Sequence, residues 1–110
     1  MLDEQDFQLK CEDSMTTLFK ALAAASDDHD FEADLNNGTL TVEFDAPRAK
    51  FVISPQTPVR QIWVSAHSRS FKLDWIPGRA AFVLPGSGQS LAELIAAHVS
   101  EHLGETIVLA

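Results

Sequence analysis

FEADLNNGTLTVEF, Phe31 to Phe44, is the stretch that decides the fold. Phe31, Ala33 and Leu35 alternate with Glu32 and Asp34, the period of a strand with one buried and one solvated face. Asn36-Asn37-Gly38 follows, and Asn-Gly tolerates the positive φ that a tight hairpin turn needs. Thr39 to Phe44 then returns, with Leu40, Val42 and Phe44 pointing inward and Thr41 and Glu43 outward. A two-residue turn joins antiparallel strands, so this segment predicts an antiparallel sheet around itself.

Upstream, Phe7, Cys11, Met15, Leu18, Phe19 and Leu22 recur at steps of three and four within Phe7 to Ala25, which predicts an amphipathic helix. The acidic segment Ser26-Asp27-Asp28-His29-Asp30 ends it. Downstream, a turn around Asp45-Ala46-Pro47 leads to a strand over Lys50 to Ser54, after which Pro55 and Pro58 punctuate the entry to Gln61-Ile62-Trp63-Val64-Ser65. Ser70 to Trp75 and Ala80 to Leu84 are predicted as strands on either side of a Pro77-Gly78 turn. Beyond Pro85-Gly86-Ser87-Gly88, Ser90 and Glu93 have capping-box spacing and open a helix with Leu91, Leu94, Ile95, Val99 and Leu103 on one side. Helix, a meander of about five to seven strands, then helix implies an α+β two-layer sandwich, an antiparallel sheet with the N- and C-terminal helices packed on one face. With 110 residues the chain is read as a single domain, 1–110.

Charge narrows the function classes. Acids outnumber Lys plus Arg by 16 to 8, a net charge of -8, which argues against nucleic acid, whose recognition depends on cations that neutralise phosphates, and against an anionic membrane surface. Twelve of the acids but only two bases, Lys10 and Lys20, lie before Ala46, so the molecule is polarised and suited to a cationic partner. One cysteine, Cys11, permits no internal disulfide. An acidic N-terminus without an apolar signal core, and no run of membrane-spanning length, predict a cytoplasmic protein.

Ile62 and Val64 share one face of their strand, so Trp63 stands with Gln61 and Ser65 on the other. With both helices on one face, that other face is uncovered. Trp63 is then either an aromatic anchor for a partner, with Val52, Ser54, Lys72 and Asp74 as neighbours, or a ring covered by the chain's own tail or a long side chain. Asp28, Asp30, Glu32 and Asp34 alternate and would share one edge of an extended strand, with His29 as a nitrogen ligand; this is a shallow, weak site for a hard cation or simply a solvated acidic loop. His98 and His102, spaced i, i+4, could meet one metal, but no third ligand accompanies them, and they are read as packed helix residues. Cys11 falls in a buried stripe, and Trp75 and Phe82 are core or core-edge positions. No nucleophile triad, phosphate loop or buried carboxylate pair is present to suggest an enzyme.

The stretches NNGTLTVEF, FVISPQTPVRQIWVSA, FKLDW and SLAELIAAHVSEHLGET resemble the frataxin family in its bacterial CyaY-type form, in order from about Phe7 to Thr106, most specifically through Gln56-x-Pro58-x-x-Gln61-Ile62-Trp63. The resemblance implies a protein that binds Fe2+ or Fe3+ weakly and transiently on an acidic ridge, here Asp27, Asp28, Asp30, Glu32 and Asp34, to which the ligand reading above adds His29. It implies docking on cysteine desulfurase and the scaffold of iron-sulfur cluster assembly through the sheet surface, here Gln61 and Trp63, beside which strand geometry adds Ser65 and Lys72, by a monomer acting as adaptor or regulator. The chain departs from the pattern at Ala21-Leu22-Ala23-Ala24-Ala25, where the family ridge continues along the helix, and at Ser54-Pro55 before the signature. The rival expectations are an acidic secretion-type chaperone that binds an extended protein segment, which needs an exposed apolar surface for its dimer, and a ferroxidase storage particle, which needs buried carboxylate pairs.

Overall fold

The computed structural model describes residues 3–45 and 48–109. Helix α1, Glu4–Ser26, begins at Asp3, whose side chain accepts from the Asp6 backbone N–H at 2.8 Å, and Glu4 and Asp6 favour the positive end of the helix dipole. Its buried stripe is Phe7, Cys11, Met15, Leu18 and Leu22. Phe19, expected in that stripe, is only partly buried and packs against the core from its flank, because it is rotated about 100° from Leu18.

Six strands follow: β1 Glu32–Asn36, β2 Thr39–Asp45, β3 Arg48–Gln56, β4 Gln61–Ala66, β5 Arg69–Ile76 and β6 Ala81–Val83. They form one antiparallel sheet in the order of the sequence. The first hairpin turns at Asn37 and Gly38, with φ of 53° and 80°, and its two-residue loop sets the register Asn36 opposite Thr39 through Glu32 opposite Glu43. Ala46 and Pro47 of the expected second turn lie outside the described residues.

Several strand limits differ from expectation: Ala80 and Leu84 lie outside β6, and β3 and β5 begin before Lys50 and Ser70. Phe31 is buried but precedes β1. Pro55 belongs to β3 instead of ending it. The last β2 partner of β3 is opposite Ile53, whereas pairing with β4 continues to Gln56 opposite Gln61. Past Ile53 the strand is paired on one side alone, and a residue without an N–H is tolerated there as on an edge strand.

Helix α2, Leu91–Leu103, carries the expected capping box: Ser90 Oγ accepts from the Glu93 N–H, and Glu93 accepts from the Ser90 N–H. It ends at Gly104, whose φ of 68° is accessible to a residue without Cβ and whose N–H donates to the Ser100 carbonyl. Leu91, Leu94, Ile95 and Val99 join the α1 stripe and the inward side chains Leu40, Val42, Phe51, Ile53, Ile62, Val64 and Leu73 in one core. Both helices therefore cover the same face of the sheet. The chain after α2 returns to this core through Ile107 and Leu109, with the Ile107 N–H donating to Ser100 Oγ at 2.9 Å. Among the described residues, no helix is long and apolar enough to cross a membrane.

Cys11 is 3% exposed, and burial pushes its thiol up to about 12 from 9.0. Because the thiolate is the reactive form, its population at pH 8 is about a thousandfold below that of an unfolded chain. Labelling by a chromogenic disulfide reagent is expected to be slow in buffer and fast in urea. Rapid labelling in buffer would contradict this burial.

Candidate functional site

The uncovered face of the sheet is organised around Trp63. The strand alternation that buries Ile62 and Val64 turns Gln61, Trp63 and Ser65 outward, and pairing places Trp63 between Ser54 on β3 and Lys72 on β5. Trp63 remains 37% exposed. Its Nε1–H donates to Gln61 Oε1 at 3.0 Å, and Gln61 Nε2 donates to Asp74 Oδ1 at 3.0 Å. Lys72 Nζ lies 4.9 Å from the ring centroid. The long side chain considered from sequence is thus Lys72, and it shields part of the indole without burying it. Gln61 holds the ring by one end of its amide and is itself held by Asp74 at the other. Val52, Ser54, Ser65, Ser70 and Phe71 complete a shallow depression beside the ring.

The acidic end is less compact than the sequence suggests. Asp27 is the C-terminal cap residue of α1, Asp28 to Asp30 lie in the turn that follows, and the strand begins only at Glu32. Asp28 and Asp30 therefore do not continue the alternation of Glu32 and Asp34, which are exposed on the outward side of β1. His29 is drawn elsewhere: its Nδ1 is 3.1 Å from Glu105 Oε2 beyond α2. Two acids absent from the expected ridge join it instead. Glu43 is directly opposite Glu32, and Glu43 and Asp45 line an open groove with Ser26, His29, Asp30, Phe31 and Glu32. The hairpin turn gives the signal for Glu43, since counting back from Asn36 and forward from Thr39 pairs it with Glu32. The result is a broad negative surface of separated carboxylates.

A second titratable cluster lies where the turn between β4 and β5 meets α2. His67 Nδ1 is 3.3 Å from His98 Nδ1, and His67 Nε2 is 3.3 Å from His102 Nδ1. His98 is 7% exposed, and its pKa is lowered below the usual histidine value, first by burial and then by His67 and Arg69 against the opposing charge of Glu101. The partner missing from the His98 and His102 pair in sequence is His67, 31 residues before His98. No local spacing rule connects them.

A sequence model described as the frataxin-like domain matches residues 1–105. The chain belongs to the frataxin family. Curated proteins similar to this frataxin-family chain carry the name iron-sulfur cluster assembly protein CyaY. That of Azotobacter vinelandii is 35% identical over 83 residues, 74% of either chain. That of Pseudomonas aeruginosa is 33% identical over 97 residues, 86% of this chain and 89% of the relative. The frataxin of Psychromonas ingrahamii shares the fold with a TM-score of 0.85 at 18% identity, over 99% of both chains. The trimeric frataxin of Saccharomyces cerevisiae gives 0.73 at 23% identity, over 87% of this chain and 80% of its own. The α+β sandwich expected from the hairpin outward is thereby the frataxin fold.

Proposed function

We propose that this frataxin-family protein is a cytoplasmic adaptor of iron-sulfur cluster assembly, which binds iron weakly at its acidic end and meets cysteine desulfurase and the cluster scaffold through the open sheet face. The observation that carries the reading is an uncovered face on which one indole, fixed by Gln61 and flanked by Lys72, stands 37% exposed. Interface hot spots are enriched in such aromatic groups with a polar surround. The names of the curated relatives supply the pathway. The test is capture of partners from native cytoplasm on immobilised protein, with cysteine desulfurase expected in the parent eluate and depleted with Trp63→Ala.

The acidic end offers Asp27, Asp28, Asp30, Glu32 and Asp34, joined by Glu43 and Asp45, with His29 engaged by Glu105. Separated exposed carboxylates give weak, salt-screened cation binding. Iron titrated into the protein is expected to broaden amide signals first around Asp27 to Asp34 and Glu43, and less so as salt is added. Broadening that ignores this segment would remove the ridge from the proposal.

A further inference from the structure

We propose that His67, His98 and Glu101 form a site for a divalent first-row transition metal ion, separate in residues and in donor chemistry from the acidic ridge, with His102 positioning His67. Among the described residues, this group has one donor atom from each member, all within 4.8 Å of one another. The acids of the ridge form no such group.

The distances suit coordination. Two nitrogens bound at about 2.0–2.1 Å in tetrahedral geometry are about 3.3–3.4 Å apart, and His67 Nδ1 and His98 Nδ1 are 3.3 Å apart. His98 and Glu101, three residues apart near the C-terminus of α2, share a helical face where the dipole favours a cation. The other nitrogen of His67 faces His102 Nδ1 at 3.3 Å. An Nε2–H donated to His102 leaves the Nδ1 lone pair directed at the site, the arrangement by which an outer residue fixes a ligand's tautomer. His102 is in turn set against Phe44, with ring centroids 4.2 Å apart.

Two imidazoles and one carboxylate select zinc, cobalt or ferrous iron over calcium and magnesium, which prefer all-oxygen shells. His67 and Glu101 are exposed, so the remaining coordination position opens to solvent. Arg69 is the cation that disfavours further positive charge at His98, and its guanidinium is stacked on Phe71 at 5.1 Å. His67 and Ser68 occupy both central positions of the turn with φ of 51° and 62°, a conformation better suited to Asn and Gly. The turn thus holds an imidazole over α2 at a backbone cost.

The test is titration of the metal-stripped full chain with Zn2+ against a chromophoric chelator, with Co2+ absorption as the spectroscopic check. One Zn2+ per chain is expected, undisturbed by equal Mg2+ or Ca2+. His67→Asn suits the turn and should keep or raise the urea midpoint while weakening Zn2+ at least tenfold. Glu101→Gln, on the exposed helix surface, should weaken it as well, and His102→Phe by about 10–100-fold. The double change Glu32→Gln with Asp34→Asn should leave Zn2+ affinity unchanged. The proposal fails if the parent takes up no Zn2+, if His67→Asn and Glu101→Gln bind like the parent, or if affinity is lost only in the ridge variant.

Discussion

Trp63→Ala is expected to weaken binding to a purified cysteine desulfurase and scaffold complex by more than tenfold while leaving the domain folded. Loss of an aromatic anchor at the centre of an interface costs about 2 kcal/mol or more, and 1.4 kcal/mol is already a factor of ten. The stability cost has separate sources. The Trp63 hydrogen bond to Gln61 disappears, a loss of about 0.5–1.5 kcal/mol, and so does the contact with Lys72, about 0.5–1 kcal/mol at an exposed site. Gln61 keeps Asp74 as its other partner. The mutant should therefore lose about 1–2.5 kcal/mol, more than an isolated surface change and less than the 3–5 kcal/mol of a buried tryptophan. Urea unfolding and a binding titration on the same protein separate the two effects. Parent-like affinity in the folded mutant would remove the open face from the proposed function, and a loss near 5 kcal/mol would make Trp63 a structural residue.

Phe51→Ala should have the largest effect on stability, about 3–5 kcal/mol. Phe51 is fully buried in β3, opposite Val42 on the adjacent strand, with its ring 4.9 Å from Phe44 and 4.9 Å from His67. Removing the ring leaves a cavity beneath α2 that backbone fixed by pairing on either side cannot close. For a domain with about 5–15 kcal/mol of total stability this is about a fifth or more of the whole. The urea midpoint should fall with little change in the slope of the transition. A loss below about 1 kcal/mol would show that the core collapses around the missing ring.

The same mutation bears on the histidine cluster, since Phe51 also faces His98 and His102 edge-on at 6.3 and 6.2 Å. A looser cluster should bind Zn2+ less well even where the chain remains folded. The open face and the metal site are thus joined to one core from opposite sides of the sheet.

Much of the architecture followed from short-range rules. The Asn37-Gly38 turn fixed antiparallel pairing and even the facing of Glu32 and Glu43, the spacing of Phe7, Cys11, Met15, Leu18 and Leu22 fixed the buried side of α1, and the capping box fixed the start of α2. Strand period alone placed Trp63 with Gln61 and Ser65 away from the core. Each of these depends on backbone geometry repeated within a few residues, so the sequence by itself determined it. Tertiary structure decided what depends on distant segments meeting. The strand extends through Pro55 because β2 has already ended beside it. Lys72 rests on Trp63, and Gln61 reaches Asp74, because β4 and β5 lie in one particular register. His29 leaves the acidic end for Glu105, 76 residues away. His67 meets His98 and His102 only after the sheet and α2 have packed, since hydrophobic burial brings those elements together and no local periodicity records which polar groups are carried into contact.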